Sequence, residues 1–191
     1  MNVLTLLLIT ALLLGPATAP TSFSEVRRES KDTALSNEFE ARARLYMQFR
    51  DKVAGKAPKP NDAAEMIVAD QQRMADKIRV ARAGAKQGEI FTPSIAQYFR
   101  RQIASSLAGP HGKEIRASLR HAEPVKMELQ INESYPESVP FQSTPPTLLL
   151  NLPSLPDGLE YRILDRELVL RDRDANIAVD YVPNALPELA K

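Results

Sequence analysis

His111 and His121 are the only imidazoles in the chain, and they stand ten residues apart. A two-histidine metal site uses helical i, i+4 spacing or converging carboxylates. Neither pattern is present, and His111 sits among the turn residues Gly109-Pro110 and Gly112. Both histidines are expected as exposed helix-end residues, with no catalytic or ligand role. Cysteine is absent altogether. That excludes disulfides, thiolate nucleophiles, cysteine zinc sites and a lipid anchor on cysteine.

Asp172-Arg173-Asp174-Ala175-Asn176 places side-chain oxygens at alternate positions, as the first half of a calcium loop does. Such a loop also needs Gly at its sixth position and Glu at its twelfth. Here those positions hold Ile177 and Pro183. The expectation is a turn, because Asp and Asn side chains bond nearby backbone groups. The seven glycines form no phosphate-binding loop, and no serine lies in a nucleophile elbow. The sequence therefore nominates no catalytic residue, no metal ligand and no cofactor. Scattered carboxylates remain as a second reading, a small hydrolase, since two acids across a cleft leave no trace in spacing.

Arg79, Arg82, Lys86, Arg100 and Arg101 make the helical part basic. They are expected on a solvated helix face, and a third reading makes them a weak anion or polymer site. Sparse aromatic interleaving gives no specific nucleic-acid signature. From residue 20 to 122 there are 19 basic and 12 acidic residues, a balance of +7; from 123 to 191 there are 6 and 12, a balance of −6. Opposite signs favour docking of the two parts, within a chain or between chains.

The N-terminus sets the compartment. Val3 to Leu14 is almost wholly apolar, about the length of a signal h-region and short of the roughly 20 residues that span a bilayer. Gly15-Pro16 ends it, and Ala17-Thr18-Ala19 offers cleavage after Ala17 or Ala19. No Lys or Arg precedes the run, and Pro20 opposes cutting after Ala19; an uncleaved anchor is the alternative. Residues 1–19 are expected as a signal peptide, and the protein as periplasmic or secreted with no stable span once cleaved.

The elements that must position these residues follow from periodicity. Glu25 to Val53 lacks Gly and Pro, and Phe39, Ala43, Tyr46, Phe49 and Val53 recur on one helical face. Asp62 and Glu65 fit a capping pair for a second helix running to about Lys86, with Ile67, Met74, Ile78 and Ala81 inward and Gly88 past its end. Thr92-Pro93 opens a third helix with Ile95, Phe99, Ile103 and Leu107 inward. A short fourth from about Lys113 to His121 carries Ile115 and Leu119.

At Pro124 the period changes to two. Val125, Met127, Leu129 and Ile131 alternate with polar residues, as a half-buried strand does. Six prolines from Pro136 to Pro156 mark an irregular connection, in which Leu148 to Leu152 is a helical turn or a buried strand. Beyond Gly158, Leu159–Ile163, Leu168–Leu170 and Ile177–Tyr181 read as a meander turned at Asp165-Arg166 and at 172–176.

The strings Ala85–Pro93, Leu152–Arg162 and Leu168–Tyr181 resemble a group of uncharacterised exported bacterial proteins. The resemblance implies export and a shared fold, and carries no activity. The expectation is an α+β protein: a helical part over 20–122 with three or four helices, then a proline-rich connection and small antiparallel β-meander over 123–191, packed on the helices as one unit. The leading functional reading is a non-catalytic exported protein that binds an unknown protein or envelope partner.

Overall fold

The computed structural model describes residues 23–55, 64–120, 129–134 and 144–188. The expected signal segment, the cap at Asp62, the residues Val125–Glu128 and His121 lie outside them. The architecture is α+β. Among the described residues five helices precede a three-stranded antiparallel sheet: α1 Phe23–Ala54, α2 Ala64–Ala81, α3 Pro93–Ala108, α4 Gly112–Arg120, α5 Pro146–Leu149, then β1 Leu159–Leu164, β2 Glu167–Asp172 and β3 Ile177–Val182. The strands lie in sequence order, with Tyr161 opposite Leu170 and Leu168 opposite Val182.

α3 forms where capping and periodicity agree. The Thr92 hydroxyl accepts from the Ile95 amide, Pro93 occupies the first turn, and Ile95, Phe99, Ile103 and Leu107 are all buried. α4 likewise buries Ile115 and Leu119. α5 resolves the Leu148 region as a single helical turn, with Leu148 fully enclosed.

One core joins helices to sheet. Phe39 of α1 stacks on Phe91 at 5.2 Å, and meets Phe99 of α3 edge-on at 4.8 Å. Tyr161 of β1 closes this cluster, 5.9 Å from Phe99. Ile163, Leu168, Leu170 and Val179 extend it across the inner sheet face. Aromatic pairs at such distances contribute roughly 0.5–1.5 kcal/mol each beyond their buried area. Where one covered sheet face was expected, the opposite face also packs: Leu164, Val169 and Ala178 meet Leu129 there. Met74, Ala75 and Ile78 of α2 close the end of the sheet against Ala175 and Ile177.

Three expectations need correction. The alternation ending at Ile131 does not continue as a strand. Ile131 and Asn132 form a turn, with Asn132 at φ 66°, a left-handed conformation that Asn tolerates. Asn132 and Glu133 then bond to both sides of Ala178, and Ser134 bridges to Ile177. α2 stops at Ala81, short of Lys86: a turn closed by the Ala85 amide on the Arg82 carbonyl follows, and beyond it the Gln87 side chain donates to the Tyr181 carbonyl and the amides of Gly88, Ile90 and Phe91 bond Asp180. Its inward stripe is Met74, Ala75 and Ile78, while Ile67 and Ala81 are exposed. On α1 the stripe runs Leu35, Phe39, Ala43, Tyr46 and then Arg50, with Phe49 only half-buried.

Candidate functional site

Chemistry-bearing side chains gather in two places at the helix–sheet boundary and in one place outside it. The first lies where the end of α1 meets the β2–β3 turn. The Tyr46 hydroxyl donates to Asp172 Oδ2 at 2.8 Å. The Arg50 guanidinium donates to Asp174 Oδ2 at 2.8 Å, stands 3.6 Å from Asp172 Oδ1, and reaches Asp51 at 2.8 Å. Asp172 Oδ1 also accepts the amides of Asp174 and Ala175, both at 3.0 Å, so its side chain shapes the turn. Gly158 makes room for this cluster. Its φ is +93°, and a β-carbon there would lie 3.0–3.1 Å from Asp174, Met47 and Arg50.

Asp172 is wholly buried. Burial pushes its carboxyl above the ordinary range, against the lowering pull of the Ala175 amide, the Tyr46 hydroxyl and Arg50. Burial likewise raises the Tyr46 phenol well above its usual value, reinforced by the neighbouring Asp172 charge. Both oxygens of Asp172 are occupied by donors of the protein itself.

The second place is Asp180. A register shift opposite Leu170/Arg171 puts a bulge in β3. Bulges re-aim side chains, and here both Val179 and Asp180 reach the helical side: Val179 enters the core and Asp180 meets the segment after α2. Asp180 Oδ1 accepts from the amides of Gly88 at 2.9 Å and Tyr181 at 2.8 Å, and Oδ2 from Ile90 at 2.7 Å and Phe91 at 2.8 Å. Gly88, at φ +94°, turns its amide inward. Burial again raises the carboxyl, and the four amide donors pull it down by less. The strings 85–93 and 168–181, distant in sequence, therefore meet at this one carboxylate. Alternation alone gave no sign of it, since Asp180 reads as an outward polar residue. The bulge that turns it inward is a property of the paired strands.

The sequence candidates separate clearly. His111 is exposed, 3.3 Å from Glu114, and meets no further ligating group. Among the described residues no group of three or more His, Asp or Glu side chains converges as a metal site would require. The oxygens of the 172–176 turn face donors: Asp174 takes Arg50, and Asn176 Oδ1 takes the Arg171 guanidinium at 2.6 Å. Arg171 also meets Glu160, which Arg162 holds at 2.7 Å, and this pairing lowers the Glu160 carboxyl.

The expected solvated basic face is a correction. Arg79 donates to the Asn132 carbonyl at 3.0 Å and to the Ser134 hydroxyl. Arg82 reaches the Asn132 side chain at 2.9 Å and Glu89 at 3.1 Å, and lies 5.3 Å over the Tyr46 ring. Arg100 donates to the Pro183 carbonyl at 2.7 Å. These arginines tie helices to the sheet side, because backbone carbonyls at strand ends have no partner within the sheet. Comparison with family models, curated proteins and solved structures found no match to this chain.

The third place is outside the core. Residues 24–31 of α1 are exposed, and there the helix forms a cleft with α3 of about 660 Å³. Arg27, Arg28, Lys31 and Arg101 line it, with Asp32 and Gln97. Arg101 pairs with Asp32 at 2.5 Å. Among the described residues, Arg27, Arg28 and Lys31 have no ion-pair partner. Glu25 and Glu29 face a neighbouring cleft, and Arg28 and Asp32 border both, so Arg27 and Lys31 mark the basic side of the arm and Glu25 and Glu29 the acidic one. Of this group sequence reading had singled out only Arg101. The signal it passed over is the i, i+4 spacing of Arg27 and Lys31, opposed by that of Glu25 and Glu29.

Proposed function

We propose that this protein is exported and works without catalysis, by binding a partner at the cell envelope. The observation that carries the reading is the state of its buried acids. Asp172 and Asp180 lie deepest, and each has both carboxylate oxygens occupied by amides, a hydroxyl or a guanidinium of the chain. A general acid or base needs a proton route to a substrate, within about 3 Å or through one water. These groups instead hold turns and segments in place. The apolar run Val3–Leu14 and the resemblance to exported bacterial proteins support the compartment.

Cell fractionation with N-terminal sequencing tests the export. The mature chain is expected in the exported fraction, beginning near Thr18 or Pro20. Intact Met1 in a soluble cytoplasmic fraction would overturn it. Turnover of a chromogenic ester or glycoside by the wild-type protein, lost in Asp174→Asn while the variant stays folded, would overturn the non-catalytic part.

A further inference from the structure

The cleft between α1 and α3 is the place where side chains capable of strong binding are left unspent. Its cations come from two helices: Arg27, Arg28 and Lys31 from the start of α1, Arg101 from α3. Arg101 is half satisfied by Asp32, which leaves the other three to solvent. Residues 24–31 are all exposed and contribute no side chain to the core. Arg27 and Lys31 on one flank, with Arg28 at the ridge between it and the flank of Glu25 and Glu29, make a surface for an anion presented from outside.

The position of the cleft along the chain selects the anion. α1 begins at Phe23, and eight residues, 15–22, separate it from the apolar run Val3–Leu14. Eight residues span at most about 30 Å when fully extended. Whenever the apolar run sits in a bilayer, before cleavage or as a retained anchor, the cleft stays within that distance of the lipid surface. Lys and Arg side chains that come close to an anionic membrane are attracted to it. We propose that the α1–α3 cleft binds the phosphate headgroups of anionic lipid at the membrane surface, with Arg27, Arg28 and Lys31 as the contacting cations. The inference rests on the export reading for its membrane, and its test is independent of where the chain is found.

The test uses the full chain with vesicles of phosphatidylglycerol and phosphatidylcholine in a 30:70 mixture, against vesicles of phosphatidylcholine alone. The apolar run partitions into both, so the ratio of the two affinities reads the cleft. At about 50 mM salt the mixed vesicles are expected to bind roughly tenfold or more tightly, with the ratio falling toward one as salt approaches 0.5 M. Arg27→Gln with Lys31→Gln should cut the ratio by about threefold or more, with helix content and Tm unchanged. Arg27→Glu with Lys31→Glu should abolish it. Equal binding to both vesicles, or a ratio unchanged in the glutamine pair, would overturn the proposal. So would loss of the preference in a few millimolar inorganic phosphate, which would make this a site for the free anion. An export failure shows up in N-terminal sequencing and leaves the vesicle ratio unaffected.

Discussion

The two ends of α1 use charge in opposite ways. At its start Arg27, Arg28 and Lys31 stand in water without a paired acid among the described residues. Near its end Arg50 is 4% exposed and shared among Asp51, Asp172 and Asp174. The helix is about 48 Å long at 1.5 Å per residue, so one rigid element carries both. What separates them is whether the sheet lies alongside. A guanidinium facing a strand end finds carbonyls and turn carboxylates without water to compete, and becomes a tether; one turned to solvent keeps its hydration and its freedom to bind something else.

The sharpest way to break this contrast is to remove the buried cation. Arg50→Ala leaves the buried Asp172 without its counter-charge and takes one of two from the half-buried Asp174, and the loss of a buried charge's partner costs about 3–5 kcal/mol. Urea denaturation should show that penalty in full at pH 8 and a smaller one on acidification, where protonation of Asp172, raised by burial, removes the stranded charge. A loss under 1 kcal/mol would mean that the cluster is no more than surface charge.

Asp180→Asn should come next, at about 2–4 kcal/mol, since an amide cannot accept from all four amide donors. Exchange of the Gly88, Ile90 and Phe91 amides with deuterium should accelerate ahead of the α3 amides. Uniform acceleration throughout would show that Asp180 does not hold this segment in particular.

A smaller effect comes from pH. Burial raises the carboxyls of Asp172, Asp180 and Glu167 in the folded state. A group raised on folding binds its proton more tightly in the folded chain, so stability grows as pH falls through the folded value and is complete below the unfolded one. Glu160, lowered by its arginines, acts in the opposite sense and is lost on further acidification. Thermal melts should therefore peak on the acid side of neutrality. In Asp180→Asn the gain between pH 7 and 5 should shrink. A steady decline in Tm from pH 7 to pH 5 would contradict the raised carboxyls.

The smallest expected change sharpens the contrast from the other end. Arg101→Glu breaks an ion pair whose arginine is 39% exposed. Exposed pairs contribute about 0–1 kcal/mol, so Tm should move by only a few degrees, and less in high salt. A cost like that of Arg50→Ala would erase the difference between the two ends.

Much of the fold was written locally. The Thr92 cap, the Ile95–Leu107 stripe and the three meander strands depend on residues within a few positions of each other, and they formed where periodicity placed them. What local pattern could not carry is contact between distant segments. The end of α2 reads as helix through Lys86, yet Asp180 draws the amides of 88–91 away. Ile131 fits an alternating strand, yet Asn132 turns the chain to meet Ala178. Arg50 reads as an exposed charge between two stripe positions, yet α1 presents it to Asp172. In each case a buried polar atom of a remote strand outweighs the local preference, because leaving it unpaired costs more than a turn of helix gains.

The carboxylate of Asp180 also sets a schedule. Its donors at Gly88, Ile90 and Phe91 precede it by about ninety residues, and Tyr46 precedes Asp172 by 126. At the usual synthesis rates of about 5–20 residues per second, those partners wait roughly 4–25 s for the strands that complete them. Until then the helices carry unsatisfied amides and an uncovered Phe39–Phe99 face, and contacts of such long range close late in folding. Until β3 has been made, the sheet that covers this core is incomplete.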